Sequence, residues 1–289
     1  MNIKVGSGVK QMLLASLVMT TMQLIVKAIP QIPPQEVVFF RALTSLVLSY
    51  VTLKKAGVYL WGNNKKMLLL RGFFGTISLV LVFASFQNLP LATAVVLQNL
   101  APLFTALFAM LFLKQPLKPL QFLFLGISIV GVVFLKGFDP RVDPVFLTVA
   151  LLGAIGSAAA YTVIGKLKGK EHPVVVVFYF PFVAVPITGI WSYFDWVVPE
   201  GIEIWAALLS IGVLSQIGQI LLTKAYQSDD DALTVSSMNY TSVIYGALYG
   251  MYFFGEFFTL EVIIGMFLVI SGTLLNLVYK HRLNKKGAV

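Results

Sequence analysis

The chain has no cysteine, which excludes disulfides and thiolate metal sites. Its only histidines, His172 and His281, sit in polar loop or tail sequence, so a histidine-based metal centre or general base is not expected. Charge is scarce as well: 11% of the 289 residues are Asp, Glu, Lys or Arg, where soluble domains carry roughly 25%. A soluble chain so poor in charge could not cover its surface with polar groups, so lipid must be the solvent for most of its exterior. Glycine-rich phosphate loops, zinc spacings and nucleophile elbows are also missing. No catalytic residue, metal or cofactor is therefore expected.

What is present is apolar. Hydrophobic residues make up 58% of the sequence and the mean hydropathy is +0.88. The apolar runs are continuous rather than alternating with period two, which disfavours a β-barrel and predicts helices, whose backbone polar groups are satisfied internally. Ten segments are predicted: Met12–Ala28, Val37–Leu53, Met67–Gln87, Leu91–Leu113, Leu120–Leu135, Val145–Gly165, Val174–Trp196, Ile202–Tyr226, Ala232–Phe254 and Leu260–Tyr279. Met12–Ala28 lacks a small-x-small cleavage site and is read as an uncleaved first helix. The Asp229–Asp231 run suits the N-terminus of the ninth helix.

The net charge of +9 is scattered over short loops, so it speaks for orientation in a bilayer rather than for nucleic acid. With the N-terminus placed inside, seventeen Lys and Arg fall in inside segments and only Lys27, Lys136 and Arg141 outside. Arg71 is counted with the inside set and Arg41 is left out, because it lies within a helix. That bias predicts both termini in the cytoplasm.

Gln87–Asn99 lays on Gln227–Asn239 without a gap, matching Gln87/Gln227, Ala92/Ala232, Val95/Val235 and Asn99/Asn239. Each half then holds five helices, residues 1–138 and 139–289. An odd number makes the halves enter the membrane from opposite sides, so the expected fold is an all-α integral membrane protein of ten transmembrane helices in two inverted five-helix repeats. Such repeats commonly enclose a substrate site near mid-membrane.

The sequence resembles the ten-helix EamA-type members of the drug/metabolite transporter superfamily. The resemblance rests on Val38-Phe39-Phe40-Arg41-Ala42, Arg71-Gly72, Leu91-Ala92-Thr93-Ala94 through Ala101-Pro102-Leu103-Phe104, and Phe254-Gly255-Glu256. It looks closest to the branch of S-adenosylmethionine carriers and organic-anion relatives. Lys114-Gln115-Pro116 departs from the family, which often has an acid there. The resemblance implies a secondary transporter of a small organic metabolite, working by alternating access.

Arg41 is the most informative residue, because a charge in a membrane helix has a cost that function or a partner must offset. Either it attracts an anionic substrate group, or it snorkels and caps carbonyls near the surface. It favours an amino-acid-like, nucleoside-derived or carboxylate substrate. The polar residues Gln23, Gln98, Asn99, Tyr161, Gln216, Gln219, Asn239, Tyr240 and Tyr245 complete the candidate substrate site, and the alternative for each is a plain helix-linking hydrogen bond. Pro102 is read as a kink or hinge within the fourth helix, and Gly153 to Ala160 as a close-packing stripe. All twelve acids fall at helix ends or in loops, which favours a facilitator or exchanger over a proton-driven pump. A lipid scramblase, a channel and a membrane-embedded enzyme are the competing readings. The expected partners are the substrate and the bilayer, with the chain a monomer or homodimer.

Overall fold

A computed structural model of the chain describes residues 6–113, 118–167, 169–226, 228, 230 and 232–286. All regular structure among them is helical. The helices are α1 (Ser7–Ala28), α2 (Pro34–Ala56), α3 (Lys65–Asn88), α4 (Leu91–Gln98), α5 (Ala101–Leu113), α6 (Pro119–Phe138), α7 (Pro144–Leu167), α8 (Pro173–Phe194), α9 (Gly201–Tyr226), α10 (Ala232–Met238), α11 (Thr241–Phe254) and α12 (Leu260–Lys286). Nine spans among the described residues are long and apolar enough to cross a membrane, Leu91–Phe108 being one of them. The expected ninth segment, Ala232–Phe254, is two shorter helices and is not among these spans. Lys4, Lys114, Gln115, Pro116, Lys168, Gln227, Asp229 and Asp231 lie outside the described residues.

Seven helices begin earlier than expected, and at four of them proline is the reason. Pro34, Pro119, Pro144 and Pro173 each open a helix. At the first helical position the missing N–H has no partner to lose, and the fixed φ is already helical. The expected boundaries fall after these prolines, one to three residues inside the helices.

The fourth and ninth expected helices are broken, at Asn99-Leu100 and Asn239-Tyr240. The breaks share one hydrogen-bond pattern. Leu100 N donates to Leu97 O at 3.1 Å and Tyr240 N to Ser237 O at 3.2 Å; Leu103 N donates to Leu100 O at 3.0 Å and Val243 N to Tyr240 O at 3.1 Å. These three-residue reaches tighten the chain locally. In the first break Pro102 has no N–H to offer the Gln98 carbonyl, so the α ladder cannot run through. Pro102 is thus in the first turn of α5, not at a kink within one continuous helix. The second break has no proline. There the Thr241 hydroxyl takes the Met238 carbonyl at 2.7 Å, a side chain competing for a helical acceptor.

The most extensive helix pairings are α6 with α12, α3 with α7, α1 with α9 and α2 with α8, while α4 packs on α11. Small residues set the closest approaches. Added Cβ atoms on Gly153 and Gly156 would meet Val82 Cγ2 at 2.9 Å and Ser78 Cβ at 3.0 Å. Ser78 also bonds the Gly153 carbonyl at 2.8 Å and Ser157 at 2.6 Å, so the expected stripe does pack α7 against α3. Gly131 and Gly265 lie backbone to backbone between α6 and α12.

Acids at helix ends are not simply solvated. Glu36, Asp139 and Glu256 are 0%, 2% and 5% exposed. The Glu256 carboxylate accepts from Leu91 N at 3.0 and 2.9 Å, at the start of α4, and pairs with Lys27 Nζ at 3.0 Å. Asp230 accepts from Gly8 N at 2.7 Å and Val9 N at 3.1 Å. It therefore caps the first helix, while its neighbours Asp229 and Asp231, expected at the start of the ninth, lie outside the described residues. Negative charge on those N-termini suits the helix dipole.

Candidate functional site

Arg41 lies two turns into α2, about 10 Å from its start at 1.5 Å per residue, and is 6% exposed. Its Nε donates to Ser215 Oγ on α9 at 2.7 Å. Its guanidinium carbon is 5.6 Å from the Phe83 ring centre on α3 and 5.8 Å from that of Phe180 on α8. The side chain therefore points into the bundle rather than snorkelling outward. Its Nη1 is buried and has no hydrogen-bond partner.

Arg71 joins it. Its guanidinium carbon is 4.7 Å from the same Phe180 ring centre, and its Nε is likewise buried without a hydrogen-bond partner. The two guanidinium groups thus share one ring, and their like charges repel. Among the described residues no carboxylate is within ion-pair distance of either arginine. Sequence reasoning placed Arg71 with the basic flank of α3 and missed it. One signal was available: Gly75 is one turn further along, and a Cβ there would meet Arg71 Nη1 at 2.5 Å and Phe180 Cδ2 at 3.0 Å.

The amides gather elsewhere. Gln23 Nε2 on α1 donates to Gln98 Oε1 at 3.2 Å, and Gln23 Oε1 is buried without a partner. Asn239 Nδ2 donates to Asn99 Oδ1 at 3.4 Å, and Asn99 Nδ2 to Ser242 Oγ at 3.5 Å and Val95 O at 3.0 Å. Tyr240, at the second break, is buried. Four candidates thus form two pairs around the helix breaks.

The remaining candidates are more scattered. Tyr245 is half-buried on α11 and Gln216 half-buried on α9, while Gln219 is exposed there and Tyr161 is 52% exposed. On α9 the contact to Arg41 is made by Ser215, which is not among the expected site residues. The molecule thus holds a guanidinium centre on α2, α3, α8 and α9 and an amide centre on α1, α4, α10 and α11. Helix α1 packs on both α3 and α9, so the two centres share neighbours.

The model of the EamA-like transporter family matches the chain twice, over residues 6–136 and 145–278. Pseudopaline exporter CntI of Pseudomonas aeruginosa (strain UCBPP-PA14) is 36% identical over 254 residues, covering 86% of this chain and 88% of its own. Human solute carrier family 35 member G1 is 27% identical over 284 residues, covering 92% and 77%. A solved crystal structure superposes with a TM-score of 0.64 at 18% identity, over 96% of this chain and 98% of that one. These likenesses support the family as a whole and do not single out the S-adenosylmethionine branch.

Proposed function

The chain belongs to the EamA-like transporter family, and we propose that it carries a small organic anion, held through a carboxylate by Arg41, by alternating access. It is a multi-pass membrane transporter. The finer reading rests on one observation: the buried Arg41 guanidinium keeps an unsatisfied Nη1 that no described carboxylate neutralises. A buried cation left so is costly, and a substrate carboxylate supplies the missing acceptor in a charge-assisted bond. Of the expected substrate classes, those bearing a carboxylate fit best. The relative named as an exporter of pseudopaline is in keeping with an organic solute.

Alternating access is supported by the packing. In the ten-segment frame the pairings are one with eight, six with three, two with seven, four with nine and five with ten. Exchanging each segment for its counterpart in the other half reproduces this set. Two inverted repeats, 1–138 and 139–289, would give that pattern, and the twin breaks and the twofold family match agree with it. The basic bias predicts cytoplasmic termini in a cell membrane. With no acid beside the arginines among the described residues, uniport or exchange is favoured over proton coupling. A scramblase needs a polar track facing lipid, and one groove, lined by Leu46, Val47, Tyr50, Phe178 and Phe182 and about 330 Å³ in volume, is apolar and supplies none. Membership of a family of transporters speaks against an enzyme.

The test is uptake of labelled carboxylates into proteoliposomes with and without a pH gradient. Arg41→Ala is expected to lower uptake by at least about tenfold, or 1.4 kcal/mol, at normal expression. Unchanged uptake ends the anchor role, and strict dependence on an inward proton gradient ends the coupling argument.

A further inference from the structure

The carrier reading needs one arginine, but the structure holds two. Arg41 and Arg71 face the same Phe180 ring, at 5.8 and 4.7 Å from its centre. Their guanidinium carbons are therefore no further apart than those two distances laid end to end. Each keeps its own buried nitrogen without a partner, Nη1 on Arg41 and Nε on Arg71. Neither group can shed its proton to relieve the repulsion, because a guanidinium stays charged in proteins. The Phe180 and Phe83 faces offer some cation–π attraction but no negative charge. Among the described residues no carboxylate completes the site from within.

We infer that the site takes a substrate with two separated acidic groups joined by a short apolar spacer, as in a small dicarboxylate. This rests on the carrier reading above and narrows it. A monoanion would leave one guanidinium uncompensated beside a second positive charge. A dianion neutralises both and fills both open nitrogens, while its spacer lies against the Phe180 and Phe83 rings. Gly75 keeps the space that seats Arg71 on Phe180.

The experiment uses the full chain in liposomes, with counterflow of glutarate, glutarate monomethyl ester and glutarate dimethyl ester. Wild type is compared with Arg71→Gln and Arg71→Lys, and thermal melting checks that each variant folds. Wild type is expected to prefer the diacid to the monoester by at least about tenfold. In Arg71→Gln that ratio is expected to fall to about twofold, because diacid transport drops further than monoester transport, while Arg71→Lys recovers part of it. Equal handling of diacid and monoester by wild type overturns the inference but leaves the monoanion carrier standing. Counterflow of neutral or cationic metabolites with all three probes ignored overturns the carrier reading itself. Should Arg71→Gln fail to fold, the wild-type ratio and Arg71→Lys still decide.

Discussion

Asn239 donates its side-chain amide to the Asn99 side-chain oxygen at 3.4 Å, and the two residues stand 140 apart in sequence at equivalent helix breaks. Each follows the last turn of a short helix, α4 or α10. A change in either break is thus felt directly by the other. Long amide bonds between membrane helices are weak, about 0.6 kcal/mol on average, so their chief effect is expected on movement rather than on stability. Asn99→Ala and Asn239→Ala should each slow transport by about tenfold or more while the melting temperature moves by no more than a few degrees. The double variant should be little slower than either single one, as befits two halves of one contact. Uptake rates and thermal melts of all three check this.

Gly75 tests the seat of Arg71. A Cβ there meets the Arg71 guanidinium and the Phe180 ring, both side chains and neither backbone, so the fold can yield. Gly75→Val should therefore express and melt close to wild type, yet raise the KM for an anionic substrate by about tenfold. A parallel fall in melting temperature and expression would mean that the glycine serves packing alone.

Gly131 makes the opposite case. A Cβ there would meet Gly265 O at 2.7 Å and Val269 N at 2.8 Å, both backbone atoms. The seam between α6 and α12 cannot open locally, so Gly131→Leu should cost about 1–3 kcal/mol or more. The measurement is a thermal melt in detergent. A Gly126→Leu control, where a Cβ finds open space, should melt near wild type.

The Lys27–Glu256 pair is largely buried, with side chains 13% and 7% exposed. Removing one partner strands a charge and typically costs about 3–5 kcal/mol. Glu256→Ala should be the more damaging of the two single changes, because it also uncaps α4 at Leu91. Lys27→Met combined with Glu256→Gln should recover a good part of the loss. A double-mutant cycle on melting temperature would show the coupling, and simple additivity would remove the claim that the pair acts as a unit.

Much of the architecture was legible because the bilayer imposes it. Unpaired backbone groups are forbidden in hydrocarbon, so a long apolar run has essentially one fold, and all the expected segments appear as helices or broken helices. The repeat mates Asn99 and Asn239 were visible as an alignment, but that they mark breaks and touch each other was not. Prolines misled twice: the expected helices begin after Pro34, Pro119, Pro144 and Pro173, which in fact open them, and Pro102, expected as a kink or hinge, sits in the first turn of α5.

What the sequence determined by itself is the solvent, the helical class, the family resemblance and the single charge, Arg41, that lipid could not explain. Those follow from composition and from the obligatory pairing of backbone groups, which are local properties. Only the tertiary structure decided which charges turn inward. Arg71 on its own helix is indistinguishable from an arginine reaching for the membrane surface. Its role depends on Phe180 arriving from a helix about a hundred residues away and on the packing that sets both guanidinium groups against one ring. Periodicity within a helix carries no record of that partner, because hydropathy reports how a residue meets its solvent and not which neighbour it meets.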